Sequence, residues 1–165
     1  MIALQIQDVK IMMSQLLVHS LFDNFLVNEM DIDTATSLHL DGRLNKAWYS
    51  TDEEAELHGR IYGKWSEIKP VAYQFIKGSR TPLSMKIVFQ INQEQLVSLL
   101  QNSGLAIAPA DVNGLYLNLR YDSKGLYVIT GSSLKLFSMD KSLEHYWDDA
   151  IKQFFHKAQI VYIEE

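Results

Sequence analysis

Met85-Lys-Ile-Val-Phe-Gln-Ile91, running straight into Asn92-Gln-Glu-Gln-Leu-Val-Ser-Leu-Leu100, is the stretch that decides the fold. In an extended chain Met85, Ile87, Phe89 and Ile91 share one face, and Lys86, Val88 and Gln90 share the other. The period of two then gives way to a helical one. Asn92 and Gln95 stand at capping-box spacing, Leu96, Val97, Leu99 and Leu100 follow on one face, and Gly104 supplies the stop. A half-polar strand feeding an amphipathic helix points to helices packed on a sheet.

Downstream, 115–121 and 126–130 read as a hairpin about Asp122-Ser-Lys-Gly125, with a third strand near 134–137. Leu143, Tyr146, Trp147, Ala150, Ile151, Phe154 and Phe155 make an apolar stripe along a final helix, and 160–163 suits a last strand. Upstream, Ile2, Leu4 and Ile6 alternate as a strand. Asp8 then caps a helix faced by Val9, Met12, Met13, Leu16 and Leu17. Strands are expected at 27–32 and 36–40, a hairpin turn at Asp41-Gly42, and a returning strand over 44–49. A polar stretch, 52–64, has no clear period. A helix starting between Ser66 and Lys69, with Pro70 in its first turn, then ends at Gly78.

These elements define an α+β fold in one domain, 1–165, with helices packed on an antiparallel sheet. Its halves, 1–80 and 84–165, share the order strand, helix, strands, helix, which is the pattern of an internal duplication.

The length and ordinary apolar content permit a core that needs no staple. With no cysteine, a disulfide framework, a thiolate nucleophile and a thiolate-ligated metal are excluded. No run reaches the ~20 apolar residues of a membrane span, and the first residues lack the basic leader of a signal peptide. A cytoplasmic protein without membrane contact is expected. Charge is segregated along the chain. Residues 23–56 hold nine acids against two bases, net −7, and residues 60–86 hold six bases against one acid, net +5.

The repeated strand–helix–strands unit, and the segment from Gly114 to Gly131, resemble half-units of DNA sliding clamps. That resemblance implies a clamp-like fold. The polar faces of both early helices are neutral or acidic, however, and a ring that encircles DNA needs them basic. The whole chain also resembles a family of short uncharacterised clostridial proteins, through Leu40-Asp-Gly-Arg-Leu-Asn-Lys46, Ile76-Lys-Gly-Ser-Arg-Thr-Pro-Leu83 and Asp140-Lys-Ser-Leu-Glu-His-Tyr-Trp-Asp148. It implies a bacterial setting and brings no catalytic residue or cofactor.

Candidate chemistry is sparse. Lys69, Lys77, Arg80 and Lys86, interleaved with Tyr62, Trp65, Tyr73 and Phe75, are the candidate anion-binding residues. They suit a non-catalytic binding module whose anionic partner is nucleic acid or the acidic segment of a second copy. The alternative is a small hydrolase or metal-dependent enzyme. It would use His145 with Asp149, at i, i+4 on the final helix, or His39 with Asp41, at i, i+2 on a strand. Glu144, His145, Asp148 and Asp149 all read as solvated, with Asp148 paired to Lys152. Two Ser-x-x-Lys matches, Ser66–Lys69 and Ser138–Lys141, lack the companion motifs of acyl-transfer enzymes.

Overall fold

The computed structural model describes residues 1–78 and 80–165. In chain order it contains β1 (Ala3–Ile6), α1 (Val9–Leu17), β2 (Leu26–Asp33), β3 (Ser37–Asp41), α2 (Thr51–Glu56), α3 (Trp65–Ile76) and β4 (Ser84–Gln90). There follow α4 (Gln93–Ser103), β5 (Val112–Asp122), β6 (Gly125–Leu134), α5 (Ser142–Lys157) and β7 (Tyr162–Glu164). The strands form one antiparallel sheet in the order β3-β2-β4-β5-β6-β1-β7. The α+β class and the antiparallel sheet are as the periodicity implied.

Strand β4 lies in the interior of the sheet between β2 and β5. Its Met85, Ile87 and Phe89 are buried, with Val27, Met30 and Ile32 from β2 and Leu115, Leu117 and Leu119 from β5. Met12 and Leu16 of α1, Trp65 and Ala72 of α3, Leu96 and Leu100 of α4, and Trp147, Ile151 and Phe155 of α5 join them in one core. Phe89 is the aromatic centre: Trp65 meets it edge-on at 5.4 Å, and Phe22 stacks at 5.6 Å. Two indoles tie helices to backbone, Trp65 donating to the Leu16 carbonyl at 2.7 Å and Trp147 to that of Tyr116 at 2.9 Å. On the opposite face of the sheet Gln5, Asp31, Lys86, Val88, Asn118, Arg120 and Tyr127 are all at least partly exposed.

The local start and stop signals hold. Asp8 accepts from the Ile11 amide at 3.0 Å, Asn92 and Gln95 complete a capping box at 2.8 and 3.0 Å, and Gly104 is left-handed at φ 68°. Both halves run strand, helix, strand, strand, helix, but strand neighbours do not repeat: β4 pairs with β5, whereas β1 pairs with β6 and not β2.

Four local expectations change. The hairpin between β2 and β3 turns at 34–36, not at Asp41-Gly42. Gly42 has another function. A Cβ there would lie 1.7 Å from the Val27 carbonyl oxygen, so only glycine lets the chain leaving β3 press against the bulge in β2. The chain over 44–49 therefore does not return as a strand; it makes a 3₁₀ turn, Lys46–Trp48. The polar stretch holds α2, started by a Ser50–Glu53 capping box, and α3 begins one residue early at Trp65 with Pro70 inside it. No third strand forms at 134–137, because the ladder with β5 ends at Leu134 and the chain beyond has no strand to pair with. Among the described residues no helix is long and apolar enough to cross a membrane.

Replacing Gly42 by Ala forces β2 and the departing chain apart. A loss at or above the ~1–3 kcal/mol of core overpacking is expected. Chemical denaturation monitored by tryptophan fluorescence measures it, and an unchanged midpoint would show that the close approach is dispensable.

Candidate functional site

The basic segment does not form one patch. Lys69, on α3, donates to the Asp23 carboxylate at 2.6 Å and to the His19 carbonyl at 3.0 Å. Its side chain is only 16% exposed, so its charge is committed to the scaffold. Lys86 projects from the open face of β4 and pairs at 2.5 Å with Glu29, diagonal to it on β2. The hydrogen bond to Glu29 raises the pKa of this lysine. Both carboxylates come from the acidic segment, so the −7 and +5 stretches partly neutralise each other inside one molecule. Lys77, which caps α3, and Arg80, on the connection into β4, are exposed, and among the described residues neither pairs with a carboxylate. Of the interleaved aromatics, Trp65 is wholly buried, Phe75 packs against the core and Tyr62 is half-buried, which leaves Tyr73 exposed, one turn before Lys77.

Sequence reasoning missed two other exposed cations. Arg120 stands directly opposite Lys86 in the β4–β5 ladder and contacts Asp122 at 3.3 Å, and Lys124 is in the β5–β6 turn. Only strand register, which one sequence does not contain, puts Arg120 beside Lys86.

The histidine pairs resolve differently from expectation. His39 does not bond Asp41. Its Nδ1 lies 2.5 Å from a carboxylate oxygen of Asp31, the residue opposite it in the β2–β3 ladder. Asp41 instead accepts from the Arg43 amide at 2.9 Å. The hydrogen bond to Asp31, aided by its charge, raises the His39 pKa above the ordinary 6.5. On α5, His145 and Asp149 are exposed on the outer face. Among the described residues no group of three or more His, Asp or Glu side chains is placed to hold a metal ion, so this pair has no third metal ligand.

Asp148, expected on the solvated face, is 5% exposed. It accepts from the Thr130 hydroxyl of β6 and, at 2.9 Å, from the Met1 amine. Thr130, a polar residue on the inward face of the sheet, supplies the partner that draws Asp148 in. Lys152 accordingly pairs with Glu164 rather than Asp148. Of the Ser-x-x-Lys lysines, Lys69 is held by Asp23 and Lys141 by Glu144.

The largest departure from an ordinary surface is apolar. On the connection 135–141, Leu136, Phe137 and Met139 are 80, 93 and 84% exposed. Two shallow grooves accompany it. One, of about 470 Å³, runs between α4 and α5 over Leu99, Tyr146 and Ala150. The other, of about 230 Å³, lies under the chain leaving β3, between Leu40, Leu44, Trp48 and Ile68.

The His39–Asp31 contact has a defined pH dependence. Because the histidine pKa is raised, the contact is complete below 6.5 and is lost as pH rises through the raised value. In an NMR titration the His39 midpoint is expected above 6.5 in the wild type, and near it after Asp31→Asn. Equal midpoints in the two proteins would rule the contact out.

Neither the curated proteins nor the solved structures contain a match to the chain. Residues 15–163, from the second half of α1 into β7, match the model of a protein family. The chain thus belongs to the family of unknown function DUF5721.

Proposed function

We propose that this chain is a non-catalytic binding module that holds an anionic partner at the α3–β4 connection, through Lys77 and Arg80. The observation that carries this reading is the contrast among the four candidate cations. Lys69 and Lys86 are engaged by carboxylates of their own chain, whereas Lys77 and Arg80 are exposed with no such pair among the described residues. Exposed Tyr73 on the last turns of α3 adds an apolar surface next to them.

Two free cations set the scale. Neutralising two phosphates gives a salt slope of only about −1.4 to −1.8, too little to hold a duplex non-specifically. The net charge of −5 also repels a long polyanion. A short acidic protein segment fits better than nucleic acid. The scattered His/Asp pairs favour binding over catalysis, since neither His145 with Asp149 nor His39 with Asp31 lines either groove.

Fluorescence anisotropy tests the reading, with a labelled oligoglutamate peptide and a labelled single-stranded oligonucleotide at about 50 and 200 mM salt. The peptide is expected to bind weakly, to lose about tenfold across that range, and to lose binding in Lys77→Glu/Arg80→Glu. Tighter binding of the oligonucleotide would move the assignment to nucleic acid. Binding of neither probe, or binding indifferent to the double substitution, would end it.

A further inference from the structure

The connection 135–141 is held at both ends yet turns its apolar side chains outward. Its first amide, on Lys135, donates to the Asp111 carbonyl at 2.9 Å. At the far end the Asp140 carboxylate accepts from the Ser142 amide at 2.9 Å, and the Asp140 amide donates to the Ser138 hydroxyl at 3.1 Å. On either side, Leu134 packs against the core and Leu143 is buried. The neighbours that fit the core are used by it; Leu136, Phe137 and Met139 are not. Three large apolar side chains this exposed within four positions mark an interaction surface. Lys135 and Lys141 flank them and, with Asp140, give the segment a net charge of +1; Lys141 is held by Glu144, which leaves exposed Lys135 as the available cation.

The same molecule carries a surface of complementary chemistry. The groove between α4 and α5 is lined by Leu99, Tyr146 and Ala150 together with Glu94, Gln95, Ser98 and Asn102, and exposed Asp149 directly precedes Ala150 on α5. No basic residue lines it. An apolar segment led by the exposed cation Lys135 and a largely apolar groove carrying Glu94 are suited to each other in both burial and charge.

The geometry points to head-to-tail self-association, with Leu136, Phe137 and Met139 of one copy seated in the α4–α5 groove of a second copy. The contact is heterologous, so each copy has one projection and one groove to offer, and association continues until a ring closes or a chain extends. It does not involve Lys77 or Arg80 and stands independently of the anionic partner proposed above.

Sedimentation velocity over about 1–100 µM tests it. The wild type is expected to grow from the 19.0 kDa monomer to dimers and larger species as concentration rises. Phe137→Asp, on an exposed loop, is expected to weaken association at least about tenfold, as loss of an aromatic anchor does. Ser98→Arg blocks the groove from an exposed position and is expected to do the same, while Lys77→Glu/Arg80→Glu leaves it unchanged. Circular dichroism confirms that each variant is folded.

The decisive sample is the mixture. Phe137→Asp retains a groove and Ser98→Arg retains a projection, so together they are expected to form a one-to-one dimer and nothing larger. Because the chain has no cysteine, Ser138→Cys and Ser98→Cys provide an independent readout. A disulfide is expected in the mixture in excess of either variant alone. A wild type that stays monomeric throughout overturns the proposal. So does association insensitive to Phe137→Asp, or a mixture that does not recover it.

Discussion

The structure depends on the burial of Phe89 beneath Trp65, Phe22 and Phe25, in the strand that occupies the interior of the sheet. Side chains alternate along β4, so burying Phe89 also buries Met85 and Ile87 and commits Lys86, Val88 and Gln90 to the other side. A slip of one residue would drive the lysine into the core. Register therefore propagates outward, through Ile87 to Met30 on β2 and to Leu119 on β5, so that the inner faces of β2, β4 and β5 are apolar. The four helices with buried residues that enter this core all serve that face.

The same register explains the lopsided charge. Acidic residues of β2 and basic residues of β4 are distant in sequence but adjacent in the sheet, so Glu29 meets Lys86, and Asp23 meets Lys69 by an equivalent approach of α3. The exposed Glu29–Lys86 pair contributes at most about 1 kcal/mol. The effect of the two pairs is local neutrality, and it separates engaged cations from available ones.

What was legible in the sequence was local. The 85–91 alternation, the Asp8 and Asn92 caps, the Gly104 stop, the 122–125 turn and the α5 stripe each depend on residues within a turn or two of one another. Features set by distant chain were not legible. Asp41-Gly42 has the composition of a hairpin turn, yet its glycine answers to the Val27 carbonyl on β2. The 134–137 segment alternates like a strand but has no strand to pair with. Asp148 turns inward because Thr130, on β6, offers it a hydroxyl, and His39 takes Asp31 from across the ladder rather than Asp41 from its own strand. Lys69, Lys77, Arg80 and Lys86 look alike in the sequence, but which of them remain unpaired is a tertiary fact.

The uncovered face of the sheet has an evolutionary consequence. Gln5, Val88, Asn118 and Tyr127 sit on strands whose opposite sides hold the molecule together, so their backbone positions are fixed while their side chains meet no second layer. Exchanges there alter chemistry presented to the outside with little penalty to folding. Substitutions across this broad platform can thus change what the protein touches while leaving its interior as it is.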